Sequence, residues 1–343
     1  MKGTVVITGG GTGGHLKVAK AFVDEFHKRG ISPIFIGSTT GQDEQWFKNE
    51  RKVKKAFFLD TKGVVDKNLI GKSKAIFQIV KEVNHCLNIF DKTEVKTVIS
   101  VGGFSAAPAT FASILSFACK LYIHEQNSKM GKLNEITSRF ATEIFSSYLD
   151  DSKIKDYPVS SEFFDNARVR HEIETIIFLG GSQGARAIND FALSVALKLD
   201  ELGIKIIHQT GKADFQRVKS KYDELNLDVD VFDFTDDISK KMSLADFAIS
   251  RSGASTLWEL AANSLPTLFV PYPYAAKDHQ YYNAKFLKDK KLCFVCRERN
   301  LKPEVIDKIL KADIKSMSKG LIDSIGYNAI ESIVDVIIEN NQK

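Results

Sequence analysis

The sequence predicts an α/β protein made of two Rossmann-like domains with parallel sheets, and three observations carry that prediction. Strand-like and helix-like segments alternate along the whole chain, as in repeated βαβ units. A length of 343 residues exceeds one average domain and points to two. Both halves also open with the same device, a strand running into a glycine loop and then a helix: "TVVIT" meets "GGGTGG" in the first, and "IETIIFL" meets "GGSQGA" in the second. That internal echo implies two similar nucleotide folds facing a central cleft.

In order along the chain, "TVVIT" (4–8) reads as a buried strand, followed by Leu16, Ala19, Phe22, Val23 and Phe26 at helical spacing. "PIFIG" (33–37), "VKTVISV" (95–101) and "KLYIH" (120–124) are the next strands. Periodicity fades and charge rises over 155–172, near Pro158 and "NARVRHE", which places the domain boundary there. The second series runs "IETIIFL" (173–179), a helix through Leu199, then "IKIIH" (204–208), "DVDVFDF" (228–234), "DFAIS" (246–250), "PTLFV" (266–270) and "LCFVC" (292–296). An amphipathic helix near 320–340 closes it.

Composition narrows the function classes. With 43% hydrophobic and 27% charged residues the chain is an ordinary globular one. A net charge of +5 lacks the bias of a dedicated nucleic-acid binder, and suits a phosphorylated ligand or an anionic membrane surface. Four cysteines in this length make no disulfide framework and suit a reducing cytoplasm. Cys293 and Cys296 form a CxxC inside an apolar run with no second pair spaced for zinc, so buried structural thiols are expected. Lys2 leads into a short strand and not a long apolar segment, and no stretch reads as a transmembrane helix, so a soluble or peripheral protein is expected.

"GGGTGG" satisfies G-x-G-x-x-G at Gly9, Gly11 and Gly14, between a strand and a helix. Glycines let backbone N–H groups approach an anion at the helix start. A nicotinamide dinucleotide would further need an acid at the tip of the second strand to hold the ribose. That strand ends "IGSTTGQDE", and the first acid, Asp43, comes well after the tip, which weakens the oxidoreductase reading. His15 stands where the helix begins. An imidazole there is expected to be neutral, because the dipole disfavours the cation, and a neutral imidazole can accept a proton. It could equally be a polar helix-start residue.

In the second half, "SRSGASTLWELAA" puts Ser252-Gly253 at a strand end, with a helix from about Ala254 and with Thr256 and Glu259 in its first turns. Backbone N–H groups there could hold phosphate while the Glu259 carboxylate accepts from ribose hydroxyls. "GGSQGA" adds Ser182. Each loop could also be a plain βα turn without a ligand. Asp228 and Asp230 could be paired metal ligands, but they alternate within a strand and share its polar face. His279 and Gln280 offer polar contacts from a loop.

Six stretches together resemble one family over nearly the whole length: "GGGTGGH" (9–15), "SVGGFSAAP" (100–108), "HEQNSKMG" (124–131), "GGSQGAR" (180–186), "SRSGASTLWE" (250–259) and "DHQYYNA" (278–284). The sequence resembles the bacterial UDP-N-acetylglucosamine–lipid I N-acetylglucosaminyltransferase (MurG) family. The resemblance implies a GT-B fold, with residues 1–158 as the acceptor-side domain, 159–324 as the UDP-GlcNAc domain, and a last helix of about 325–341 returning to the first. It implies inverting transfer of N-acetylglucosamine from UDP-GlcNAc to the MurNAc 4-hydroxyl of lipid I, giving lipid II, with no metal or other cofactor. By motif position, Thr12, Gly13, Gly14 and Asn127 match donor-contacting residues of the first domain, and Ser182, Arg251, Ser252, Gly253, Ala254, Thr256, Glu259 and Gln280 those of the second. His15 matches the candidate general base. A non-catalytic sugar-nucleotide-binding or membrane-anchoring subunit is the remaining alternative.

Departures from the family pattern are Lys17 and Val18 after the first histidine, Ala106 in place of a serine, and Ser160 where a phosphate-facing arginine is expected. A lipid-linked acceptor also implies peripheral docking on the cytoplasmic face of the membrane. Residues 64–90 are the candidate surface, with Leu69, Ile70, Ile76, Phe77 and Val80 interleaved with Lys67, Lys72, Lys74 and Lys81.

Overall fold

The computed structural model describes residues 3–62, 69–181 and 184–342, and of residues 69–76 only the helical backbone. The chain divides into two compact units, Met1–Pro158 with Asn328–Lys343, and Val159–Tyr327. Lys67 of the candidate docking segment lies outside the described residues, as do the side chains of Leu69, Ile70, Lys72, Lys74 and Ile76.

The first unit runs β1 (Thr4–Thr8), α1 (Gly13–Lys28), β2 (Ile34–Ser38), α2 (Asp43–Phe47), β3 (Lys55–Leu59), α3 (Leu69–Thr93), β4 (Val95–Ser100), α4 (Ala107–Leu115), β5 (Lys120–His124), α5 (Lys132–Thr137) and β6 (Glu143–Phe145). Its sheet is parallel in the order β3-β2-β1-β4-β5-β6. β1 lies at the centre, which is why "TVVIT" is a continuous apolar and β-branched run with no polar face. The order reverses between β1 and β4, and the loops leaving those two strands therefore splay apart to form a crevice at their C-terminal ends.

The second unit runs α6 (Ser161–Asp165), β7 (Thr175–Leu179), α7 (Arg186–Glu201), β8 (Lys205–Gln209), α8 (Phe215–Glu224), β9 (Asp230–Phe232), α9 (Ile238–Leu244), β10 (Phe247–Ser250), α10 (Ala254–Ala262), β11 (Thr267–Phe269), α11 (His279–Asp289), β12 (Cys293–Val295), α12 (Val305–Leu310) and α13 (Ile314–Ser324). The parallel order β12-β11-β10-β7-β8-β9 repeats the first sheet strand for strand, with its reversal between β7 and β10. The echo seen in the glycine loops thus extends to the whole topology of both sheets.

The closing amphipathic helix expected near 320–340 is two helices. α13 ends at Ser324, Ile325 is extended, and Asn328 takes φ 65° before α14 (Ala329–Gln342) begins. A left-handed residue stops one helix and re-aims the next, while the apolar periodicity continues across the break. α14 then belongs to the first unit. Arg29, just past the end of α1, pairs with Asp335 and donates to the Glu331 carbonyl at 3.0 Å, and Thr97 donates to Asn341 at 3.0 Å.

Candidate active site

Three loops of the first unit meet at the crevice beside β1 and β4. Gly11 and Gly102 both have positive φ, and a Cβ on Gly11 would sit 2.5 Å from the Phe104 ring, so the turn needs glycine there. Thr12 is the extended residue before α1, and its hydroxyl lies 3.0 Å from His15 Nδ1. The other imidazole nitrogen, Nε2, faces the Gly102 backbone, since a Cβ built there would be 3.4 Å from it. His15 is half-buried, and so are Gly13, Gly14 and Asn127. When Nδ1–H donates to the Thr12 oxygen, the lone pair is on Nε2, the tautomer a base requires.

Asn127 reaches the same crevice through Glu125. The Glu125 carboxylate is buried and accepts from Asn127 N–H at 2.9 Å, Gly131 N–H at 2.9 Å and Asn134 Nδ2 at 2.8 Å. Asn134 in turn abuts Gly102. Glu125 thus folds the loop after β5 against the loop after β4. Sequence reasoning quoted it within a motif but gave it no role, because an acid beside a strand end carries no signal of where its oxygens go. His124, next to it, is fully buried against Phe22 and Tyr157, and burial, then the nearby His15, pull its pKa down to about 3. It therefore stays neutral at ordinary pH.

In the second unit, Arg251, Ser252 and Gly253 leave β10 and α10 begins at Ala254. A Cβ on Gly253 would meet no atom within 4 Å, so packing does not require glycine there, and open space adjoins the first N–H groups of α10. Glu259 is buried one turn into that helix and Thr256 is half-buried. Ser252 is fully buried, with no hydrogen-bond partner for its hydroxyl among the described residues. Asn283 on α11 donates to the Ser252 carbonyl at 3.2 Å, which ties α11 to this loop, and Gln280 accepts from Tyr272 N–H, in the loop after β11, at 2.9 Å. The Arg251 guanidinium lies 2.6 Å from Glu298, donates to the Val270 carbonyl at 3.1 Å and sits over the Tyr272 ring. Ser182 lies outside the described residues.

Residues 5–146 match the model of the glycosyltransferase family 28 N-terminal domain, and residues 175–324 match its C-terminal domain. The chain belongs to glycosyltransferase family 28. A relative from Campylobacter jejuni named UDP-N-acetylglucosamine--N-acetylmuramyl-(pentapeptide) pyrophosphoryl-undecaprenol N-acetylglucosamine transferase is 48% identical over 339 residues, covering 98% of each chain. A relative of the same name from Sulfurovum is 46% identical, covering 97% of this chain and 98% of its own. The crystal structure of Acinetobacter baumannii MurG superposes with a TM-score of 0.80 at 27% identity, over 98% of this chain and 99% of that one. The fold is therefore GT-B. A Staphylococcus aureus MnaA–UDP structure shares the fold at TM-score 0.64 and 11% identity, over 98% of this chain and 96% of that one.

This family 28 chain also places the residues that depart from its pattern. Val18 and Ala106 are fully buried, so both are packing positions, whereas Ser160 is exposed at the start of α6 and Lys17 is half-buried on α1. Asp228 and Asp230 are exposed, and Asp230 pairs with Lys241. Among the described residues no group of three or more His, Cys, Asp or Glu is placed to hold a metal ion. All four cysteines are free. Burial pushes Cys86 and Cys293 up to about 12, while Cys119 and Cys296 are only half-buried.

Proposed function

We propose that this glycosyltransferase moves N-acetylglucosamine from UDP-GlcNAc to the MurNAc 4-hydroxyl of lipid I, with inversion and without a metal ion. The observation that carries the chemistry is the Thr12–His15 pair at the crevice of the first unit. The acceptor oxygen attacks the anomeric carbon opposite the nucleotide, the bond from that carbon to the diphosphate oxygen breaks, and the hydroxyl proton passes to His15 Nε2. UDP leaves carrying the bonding pair. The N–H groups at the start of α10 and the Arg251 guanidinium supply positive potential for that leaving group. Arg251 is engaged by Glu298, and diphosphate would share or replace that carboxylate. Gln280 is assigned to the donor sugar, and Thr12, Gly13, Gly14 and Asn127 to the donor from the first unit. A nicotinamide reading is disfavoured because Asp43, the first acid after β2, is buried and accepts from the loop's own backbone.

Donor binding tests the assignment. Glu259 can accept from two ribose hydroxyls, and each bond to a charged acceptor is worth about 1.5–3 kcal/mol before desolvation. Glu259→Ala should weaken UDP-GlcNAc binding at least about tenfold in calorimetry, or about 1.4 kcal/mol. Unchanged affinity in a folded variant would remove Glu259 from the site.

The lipid-linked acceptor calls for docking on the cytoplasmic face of the membrane. Phe77 and Val80 on α3 are 74% and 62% exposed. α4, which packs beside α3, adds Leu115 at 59% and Phe117, just beyond its end, fully exposed. Leu115 and Phe117 were not among the docking residues read from the sequence, since an apolar helix end resembles core. Among the described residues no helix is long and apolar enough to cross a membrane. Burying a phenylalanine contributes about 1.5–3 kcal/mol, so Phe77→Ser with Phe117→Ser should cut sedimentation with anionic vesicles by roughly a hundredfold or more in partition coefficient. Equal pelleting of variant and wild type would move the docking surface elsewhere.

A further inference from the structure

We propose that Asp43 is a positioning residue for the transfer, its carboxylate clamping the glycine loop that presents Thr12 and His15. The proposal rests on the reading of His15 as the base.

Asp43 begins α2 and is fully buried. Its two oxygens serve two different loops: Oδ1 accepts from Gly11 N–H after β1, and Oδ2 accepts from Ser38 N–H, at 2.8 Å, at the end of β2. The Ser105 hydroxyl, in the loop after β4, lies beside the same carboxylate, though outside strict hydrogen-bond geometry. The surrounding glycines make room for this one group. A Cβ on Gly10 would lie 2.5 Å from Oδ1, and one on Gly37 would lie 2.9 Å from the Asp43 Cβ. Gly41, with φ 99°, packs so closely that its Cβ would lie 2.9 Å from Gly11 Cα.

Burying a carboxylate among backbone groups carries a desolvation cost, and here it raises the Asp43 pKa against the pull of the two N–H donors. A neutral side chain could fill the space without that cost. What it could not do is accept on two separate oxygens at once: an amide turns its NH2 toward one of the N–H groups, and a hydroxyl has only one oxygen to place. The held peptide, Gly11, precedes Thr12, whose hydroxyl meets His15 Nδ1 at 3.0 Å. The path from Asp43 to the imidazole is therefore one hydrogen bond, one residue of backbone and a second hydrogen bond. In this chain the N–H that a dinucleotide-binding loop would offer to phosphate is turned inward to fix the catalytic geometry.

Asp43→Asn keeps the shape and sets an amide NH2 against one of the two N–H groups. A misplacement of about 1 Å in a catalytic group can cost roughly a hundredfold, so kcat should fall about 10- to 100-fold. KM for UDP-GlcNAc and the affinity for UDP should change by less than kcat does, since the donor contacts assigned to the second unit are untouched. Gly10→Ala, which keeps Asp43 as a carboxylate but forces it to shift from a methyl 2.5 Å from Oδ1, should give the same split. Thr12→Val breaks the next link, and its loss should not add to that of Asp43→Asn in the double variant. Additive losses, or wild-type kcat in Gly10→Ala or Asp43→Asn, overturn the clamp. If Asp43→Asn lacks the wild-type circular dichroism and denaturant transition of the first unit, it is misfolded, and the decision then falls on Gly10→Ala. His15→Ala is assayed alongside: near-normal turnover there removes the base itself, whereas a slow His15→Ala beside fast Asp43→Asn and Gly10→Ala removes only the clamp.

Discussion

Replacing His15 by alanine is expected to lower kcat by about 10²–10⁴-fold, the usual contribution of a positioned general base, with UDP binding kept. The half-buried imidazole begins α1, where positive backbone potential favours its neutral form, and the Thr12 hydroxyl can hold Nδ1 as the protonated nitrogen. The neutral His124 nearby adds no competing charge. His15→Ala leaves Gly11 N–H and its Asp43 partner in place, so the loop should persist and the loss should fall on kcat and not on donor affinity. Thr12→Val should reproduce part of the loss by freeing the tautomer. Because leaving-group stabilisation is assigned to α10 and Arg251, wild-type activity should survive EDTA. Near-normal turnover of His15→Ala at saturating substrates would reduce His15 to a helix-start residue. Activity lost in EDTA and restored by magnesium or manganese would bring a divalent ion into the mechanism.

The parts of the fold that were legible in the sequence are those where one physical demand dominates. β1 and β5 match their read bounds because an apolar, β-branched run ends abruptly in glycine or in a polar motif. β3, "KAFFL", was not read as a strand: it is a half-exposed edge strand that follows a charged stretch, so neither full burial nor clean alternation marks it. β6 is three residues at the opposite edge, too short to show a period. The strand read at 228–234 shrinks to Asp230–Phe232, since acidic residues at both its ends prefer solvent. At the candidate site, the glycine loops and the starts of α1 and α10 were readable because backbone geometry restricts residue type there. Asp43 and Glu125 were not. Both act by accepting from N–H groups brought near by tertiary folding, and local sequence says nothing of those partners. The same holds for the segment "NARVRHE", whose charge marks the domain boundary but says nothing of where its side chains are buried.

Arg170, in that segment, is expected to be one of the costliest side chains in the protein to lose. It is fully buried, and burial pulls its pKa down to about 9, still well above neutral. Its guanidinium meets carbonyls instead of a carboxylate. It donates to Arg168 at 2.9 Å, Ala245 at 3.2 Å, Met242 at 3.3 Å, Asn263 Oδ1 at 2.6 Å and the Asn263 carbonyl. Met242 and Ala245 stand at the C-terminal end of α9, and Asn263 ends α10. Two helix C-termini thus turn their negative ends on one cation, and Asp246, paired with Arg168, adds its charge nearby, so the cation is compensated without a direct acidic hydrogen-bond partner. Asn263 carries the tie onward, donating to the Phe163 and Asn166 carbonyls at 3.1 Å each, so the end of α10 is fixed to α6. Arg170→Met fills much of the volume but leaves these acceptors facing apolar carbon, and should cost about 3–5 kcal/mol, as removal of one member of a buried charged network does. Arg170→Lys should recover little, because a point ammonium with three donors cannot span five acceptors in a plane. All those acceptors lie in the Val159–Tyr327 unit, so the loss should appear in that unit's denaturant transition and leave the other near its wild-type midpoint. Since α10 also carries Thr256 near its start and Glu259 one turn before Asn263, UDP affinity should fall as well, at denaturant concentrations where the first unit is still intact. An Arg170→Met protein within about 1 kcal/mol of wild type, well inside the range of ordinary surface and conservative changes, would show that α9 and α10 hold their ends without this cation.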